Sequence, residues 1–264
     1  MTAPGLGTRF GAEGTAVVTG AASGIGLATA MRLADGGYDV LALDRNSPQP
    51  SWEGDHSIDF RCVDVRDVPA LQATVRDGLA DRPPLRAVCS AAGVRRPMPL
   101  SRLTVDSWDE IFDVNVRGVL FLLQECLPHL ADGASVVLVG SPSSVADTTD
   151  LAYAASKAAV GTLARTLALA LTPHGVRVNV VSPAFTSTGM TREADDSRRA
   201  DAARRNVAGR VNEPRDIANA IAWLCGPEAA TVSGTVVDVG GVAGMPARAG
   251  IPIGDLICEG GSLK

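Results

Sequence analysis

Residues 15–26 read "TAVVTGAASGIG". A short β-branched, aliphatic run closes in a turn with glycines at 20, 24 and 26, and a helical pattern follows over about 24–36. A strand, a glycine-rich turn and a helix in that order let the backbone approach a pyrophosphate, which then sits on the helix N-terminus. Gly20, Ser23, Gly24, Ile25 and Gly26 are therefore candidate cofactor-binding residues. The next aliphatic run, "DVLALD" (39–44), ends on Asp44. A carboxylate at the end of a second strand can accept from both hydroxyls of an adenosine ribose. Asp64 follows a third run, in "CVDVRD", next to Val65. It either caps the helix that starts near 67 or accepts from the adenine amino group.

The same alternation continues outward to the end of the chain. Short aliphatic runs at 15–19, 39–44, 58–63, 86–91, 135–140, 176–181 and 235–239 are expected strands. Several are apolar throughout, as strands buried on both faces tend to be. Helical patterns cover about 24–36, 67–81, 107–131, 152–172 and 214–225, with starts expected at Asp67 and at Glu213-Pro214. This order implies an α/β fold, a single Rossmann-type domain over 1–264. Its core is a doubly wound parallel sheet of about seven strands, with helices on both faces. The polar stretch 186–210 is too long for an ordinary connection and is expected to act as a flap. The tail 246–264 extends past the last strand.

Composition removes other classes. The 264 residues carry a net charge of −5 and the pI is about 5.2, which argues against a nucleic-acid surface. No apolar run reaches membrane-spanning length, and the N-terminus lacks the layout of a signal peptide. Cys62, Cys89, Cys126, Cys225 and Cys258 are widely spaced, and His56, His129 and His174 are scattered. The reading is a reduced, cytoplasmic chain with no metal site.

The 24 basic residues include only two lysines, Lys157 and Lys264, and the chain has only two tyrosines, Tyr38 and Tyr153. In "LAYAASKAAV" (151–160) a tyrosine and a lysine share one helix face. The helix follows the fifth strand, so its first turns lie near the edge where such sheets bind ligands. A free phenol, with a pKa near ~10, is a poor base at neutral pH. A neighbouring ammonium favours the phenolate. The planar arginine fork is less suited to act as that compact point charge.

The spacing TGxxxGxG near the N-terminus, followed by YxxxK, resembles the short-chain dehydrogenase/reductase family, classical type. "SAAG" (90–93) is similar to the family's NAAG, Asn115 in "DVNVRG" matches its helix asparagine, and "SPAFTSTGM" (182–190) matches its PG segment. The likeness runs from about residue 14 to 245. It differs at Ser90 (usually Asn), Ala184 (usually Gly) and Gly240 (usually Asp), and Ser141 stands one residue closer to Tyr153 than the family pattern has it.

The resemblance implies four catalytic residues. Tyr153 exchanges a proton with the substrate oxygen, and Lys157 lowers the phenol pKa and holds the nicotinamide ribose. Ser141 hydrogen-bonds the substrate oxygen, in preference to Ser143 or Ser144. Asn115 holds a water in a proton relay, unless it only bridges backbone groups in its helix. Asp44, Asp64, Val65, Ala91, Ala92, Gly93, Pro183, Thr186 and Thr188 join the glycine loop as cofactor contacts.

The implied activity is NAD-dependent hydride transfer between the nicotinamide cofactor and a secondary alcohol or ketone, in a homotetramer or homodimer. Interface faces are expected on the helices near 107–131 (Ile111, Val119, Leu122) and 152–172 (Val160, Leu163, Leu167). Arg95 and Arg96 either pair with an anionic substrate or lie at the surface. Two alternatives stand beside this reading: an NADP-dependent 3-oxoacyl reductase, against which Asp44 argues, and a non-catalytic dinucleotide-binding regulator.

Overall fold

Parallel strands need long crossovers, and amphipathic helices supply them. The computed structural model of the protein describes residues 14–47, 57–144 and 150–241. Its strands are β1 Thr15–Thr19, β2 Asp39–Asp44, β3 Ile58–Cys62, β4 Leu85–Ser90, β5 Leu130–Val139, β6 Arg177–Pro183 and β7 Val236–Val239. They form one sheet in the order β3-β2-β1-β4-β5-β6-β7, and every pairing is parallel. The helices are α1 Gly24–Asp35, α2 Val68–Leu79, α3 Val105–Phe112, α4 Gly118–Cys126, α5 Leu151–Leu171, α6 Asp196–Arg205 and α7 Pro214–Cys225.

Successive side chains of a strand point to opposite faces, so the sheet carries two cores. Val17, Leu41 and Leu138 pack with Leu71 and Val75 of α2, Leu122 of α4 and Val160 of α5. Val18 and Val40 pack with Leu33 of α1 and with Ile217, Ile221 and Leu224 of α7. The strand order reverses direction beside β1, between β2 and β4. The crevice outside the carboxyl ends of β1 and β4 is where such a sheet takes its ligand.

Three expectations change. The single helix expected over 107–131 is split: α3 gives way to a π-helical turn at Asp113–Arg117, then α4, then a 3-10 turn at Leu127–His129. Strand β5 starts at Leu130 rather than 135, with an irregular register against β4 before Ser135. The stretch 186–210 is not devoid of structure: it holds a short turn, Gly189–Thr191, and α6, whose side chains are nowhere buried.

The expected interface faces also change. Ile111, Val119, Leu122 and Val160 are buried in this chain's own core. Leu163 and Leu167 are only partly buried, and the large apolar side chains left exposed along these stretches are Val105 and Trp108 on α3, Leu120 on α4, Leu127 in the turn after it, and Leu151 and Leu169 on α5. The tail 246–264 lies outside the described residues.

Candidate active site

The glycine loop is tied down from several sides. Gly20 has φ +70°, and a Cβ there would lie 2.7 Å from the backbone N of Ala92. A Cβ on Gly26 would lie 2.1 Å from the carbonyl O of Gly20. Only glycine permits both approaches. Ser23, in extended conformation, precedes α1, but no side chain caps the helix and its first turn has no acidic residue. The first N–H groups of α1, on Gly24, Ile25 and Gly26, thus meet no competing anion, as a bound pyrophosphate requires.

Asp44 stands at the loop's edge. One carboxylate oxygen accepts from the N–H of Ala22 (3.1 Å) and the other from the N–H of Asn46 (2.9 Å). Asp44 therefore fixes the loop as well as offering lone pairs to a ribose.

Asp64 is not the cap of α2. That role belongs to Asp67, whose side chain accepts from the N–H of Ala70. The carboxylate of Asp64 is gripped by Arg66, with Nη2 at 2.7 Å and Nε at 3.0 Å. This fork holds the Asp64 carboxyl below the ordinary carboxylate range. Val65 is buried against Gly118. After β4, Ala91, Ala92 and Gly93 are partly exposed, and the N–H of Ala92 donates to Thr19 Oγ1 (3.2 Å). Ser90 lies 3.5 Å from that same hydroxyl, which links β1 to β4 in place of an asparagine.

Pro183 ends β6. Thr186, buried, donates to the carbonyl of Ala184 (2.8 Å), and a Cβ on Gly24 would come within 3.3 Å of the Thr188 methyl. The start of the 186–210 stretch thus lies against the glycine loop.

The acid–base candidates meet beyond β4 and β5. Asp150 caps α5 through the N–H of Tyr153 (3.4 Å), and Tyr153 and Lys157 are buried one turn apart. Lys157 donates to the carbonyl of Val139 (2.8 Å), and its Nζ is 5.8 Å from the Tyr153 ring centroid. Burial pushes its ammonium down to about 8. Ser141 follows β5, and its Oγ accepts from the N–H of Ser143 (3.2 Å). Ser143 and Ser144 lie further on in a 3-10 turn, and residues 145–149 lie outside the described residues.

Asn115 does more than bridge its own helix. From the π-helical turn its amide faces the backbone of Val94: Oδ1 accepts from the N–H (2.8 Å) and Nδ2 donates to the carbonyl (3.0 Å). Nδ2 also donates to Ser156 Oγ (3.0 Å). An amide has two N–H donors, and both are used here. The expected relay water is therefore not held by these donors; the side chain locks the loop after β4 onto α5. A Cβ on Gly93 would lie 3.4 Å from Asn115 Oδ1 and 3.6 Å from Lys157 Nζ. Gly93, Asn115 and Lys157 thus form one cluster.

One group near Tyr153 escapes a reading of the sequence. Asp150 was legible in principle, as an Asp at a helix start. Its ion pair with Arg95 (2.9 Å) joins residues 55 positions apart. Arg96 is exposed and pairs with Glu110 (3.1 Å). Among the described residues no three His, Cys, Asp or Glu side chains are grouped to hold a metal ion, and no helix is long and apolar enough to cross a membrane.

Known proteins resemble this chain over most of its length. A family model described as enoyl-(acyl carrier protein) reductase matches residues 20–242. The chain is 32% identical over 245 residues to cis-4-hydroxycyclohexanecarboxylate dehydrogenase of Sinomonas cyclohexanicum, covering 89% of this chain and 98% of that one. It is 31% identical over 234 residues to 3-oxoacyl-[acyl-carrier-protein] reductase FabG of Thermotoga maritima, covering 85% of this chain and 95% of that one. A crystal structure of a dehydrogenase/reductase from Sinorhizobium meliloti 1021 superposes with TM-score 0.80 at 30% identity, covering 89% and 97% of the two chains.

Proposed function

The chain belongs to the short-chain dehydrogenase/reductase family, and from that membership we propose that it is an NAD-dependent oxidoreductase acting on a secondary alcohol or ketone. The observation that carries the reading is the buried Tyr153–Lys157 pair, joined through Asn115 and Gly93 to the loop beside the uncapped N-terminus of α1. The nicotinamide, when bound, supplies or accepts the hydride. Tyr153 gives a proton to the substrate oxygen or takes one from it. The Lys157 ammonium favours the phenolate and donates to the nicotinamide ribose. Ser141 holds the substrate oxygen, and Asn115 fixes the loop beneath the cofactor. Gly20, Ser23, Gly24, Ile25 and Gly26 cradle the pyrophosphate, with Val65, Ala91, Ala92, Gly93, Pro183, Thr186 and Thr188 around the rest of the coenzyme. Asp64 serves adenine only by sharing its carboxylate with Arg66.

The choice of NAD rests on Asp44. A 2′-phosphate would place about −1.5 to −2 charges beside this carboxylate. Like unit charges at ~4 Å repel by about 4 kcal/mol at an effective dielectric near 20. The competing reading, an NADP-dependent 3-oxoacyl reductase, draws support from the relative of that name. The ratio of catalytic efficiencies with the two coenzymes separates them. At least about tenfold in favour of NAD is expected, or ~1.4 kcal/mol. Equal use would remove Asp44 as the selector. The substrate panel should pair secondary alcohols and ketones with cis-4-hydroxycyclohexanecarboxylate, the compound in the name of the 32% relative. Silence across that panel, with NAD still bound, would favour the regulator instead. We read the chain as one catalytic domain of a cytoplasmic homotetramer.

A further inference from the structure

Arg95 belongs to the loop after β4, yet its side chain is only 16% exposed and its ion-pair partner, the side chain of Asp150, is 1% exposed. The guanidinium carbon lies 5.8 Å from the Tyr153 ring centroid, as far as Lys157 Nζ does. Asp150 is bound to the same place twice more. It caps α5 through the N–H of Tyr153, and its backbone forms an isolated parallel bridge with Met98. Segment 95–98 is thereby fastened to the first turn of the helix that carries the phenol.

We propose that Arg95 is a positioning residue for Tyr153: anchored by Asp150, it sets a permanent positive charge beside the phenol ring and extends the phenolate's range to lower pH. This rests on the reading of Tyr153 as the proton handle. A buried ion pair is weak evidence for stability, because well-packed apolar residues often replace one without loss. Its placement against a tyrosine one turn from a buried lysine calls for another explanation. Burial pushes Lys157 down to about 8, so its ammonium is lost at mildly alkaline pH. A guanidinium keeps its charge throughout.

Among the described residues the charged groups around Tyr153 are Lys157 on α5, Arg95 after β4 and Asp150 at the helix start. The Asp150 carboxylate opposes the two cations. An opposite charge within about 4–6 Å lowers the pKa of an acid by about 1–3 units, and Asp150 trims the share of Arg95.

The composition makes this measurable without a substrate. Tyr38 and Tyr153 are the only tyrosines, and burial pushes the Tyr38 phenol up to about 12. A titration of the tyrosine ζ-carbons by 13C NMR therefore resolves Tyr153, whose curve also carries the coupled Lys157 step. Arg95→Gln should move the Tyr153 midpoint to higher pH by at least about half a unit, while Arg95→Lys should stay within a few tenths of it. The ascending, acidic limb of kcat/KM for alcohol oxidation, which needs the phenolate, should move with the titration. An unchanged midpoint in a folded Arg95→Gln protein overturns the proposal, as do equal shifts in both variants. Should Arg95→Gln not fold, the double variant Arg95→Gln/Asp150→Asn leaves no unpaired buried charge and keeps a capping side chain, and its midpoint must also lie above that of the wild type; an unchanged or lower midpoint overturns the proposal. A shifted titration together with full turnover in Tyr153→Phe would leave this electrostatic role standing and remove the proposed function instead.

Discussion

Tyr38 and Tyr153 show how one residue type serves two ends. Tyr38 donates to the carbonyl of Cys225 (3.2 Å) at the end of α7, and its burial disfavours ionisation. Tyr153 lies between cations. Tyr153→Phe is expected to lower turnover by about 10²–10⁴-fold, the span of a lost general acid or base, with NAD affinity by calorimetry nearly unchanged. Lys157 carries a stability signature as well. Its folded pKa, about 8, lies below the ordinary lysine value of 10.5. Between those values the unfolded chain binds more protons, so this group makes stability rise with pH across about 8 to 10.5. In Lys157→Met that rise, up to about 3 kcal/mol, should be missing. Denaturant melts of both proteins at pH 7.5 and pH 10 test it; parallel changes would contradict a desolvated lysine.

At the scale of elements, helix ends decide much. The carbonyls that close α7 are met by buried side chains: Arg177 Nη1 donates to Leu224 (2.6 Å), and Ser135 Oγ donates to the same carbonyl (2.8 Å). The N-terminus of α1, by contrast, is left without a side-chain cap. On the proposed reading that end takes the coenzyme's pyrophosphate. Gly26→Ala tests the geometry of that end. Its Cβ would sit 2.1 Å from a backbone oxygen, which no rotamer change relieves. The expected outcome is a loss of at least about 2 kcal/mol in stability, in the class of severe packing errors, and at least tenfold weaker NAD binding. Unaltered coenzyme affinity would mean that the loop takes no part in it.

For the whole molecule, the open question is assembly. Of the residues expected at an interface, Ile111, Val119, Leu122 and Val160 cover the sheet, while Leu163 and Leu167 stay partly exposed. Leu120, 41% exposed on α4, and Leu169, 80% exposed on α5, are among the apolar side chains left for a second copy to cover. We expect light scattering at micromolar concentration to report a tetramer, and Leu169→Glu to shift it toward smaller species with the monomer fold intact by circular dichroism. A wild-type monomer would refute the assembly. A charge placed in a buried contact is expected to disrupt it, because an unpaired charge there is costly to desolvate.

The sequence by itself determined whatever is written in local backbone demands and short periods. The glycine loop is legible because Gly20 and Gly26 meet constraints that no other residue satisfies. The strands are legible as short aliphatic runs, several of them apolar throughout, although β3 (IDFRC) and β7 (VVDV) at the sheet edges are only partly buried, and the Tyr153–Lys157 face follows from the helical repeat. Tertiary structure decided the rest. Residues 107–131 carry one helical pattern, yet a π-helical turn breaks it where Asn115 must face Val94 and Ser156. Ile111 and Val119 read as interface residues from the sequence, and the sheet takes them into the core instead. Arg95 reads more readily as a surface residue than as a ligand contact, and only the fold brings Asp150 to it. A hydrogen bond or ion pair between residues 21 to 55 positions apart leaves no local pattern, because its geometry exists only once the strands between them have been laid side by side.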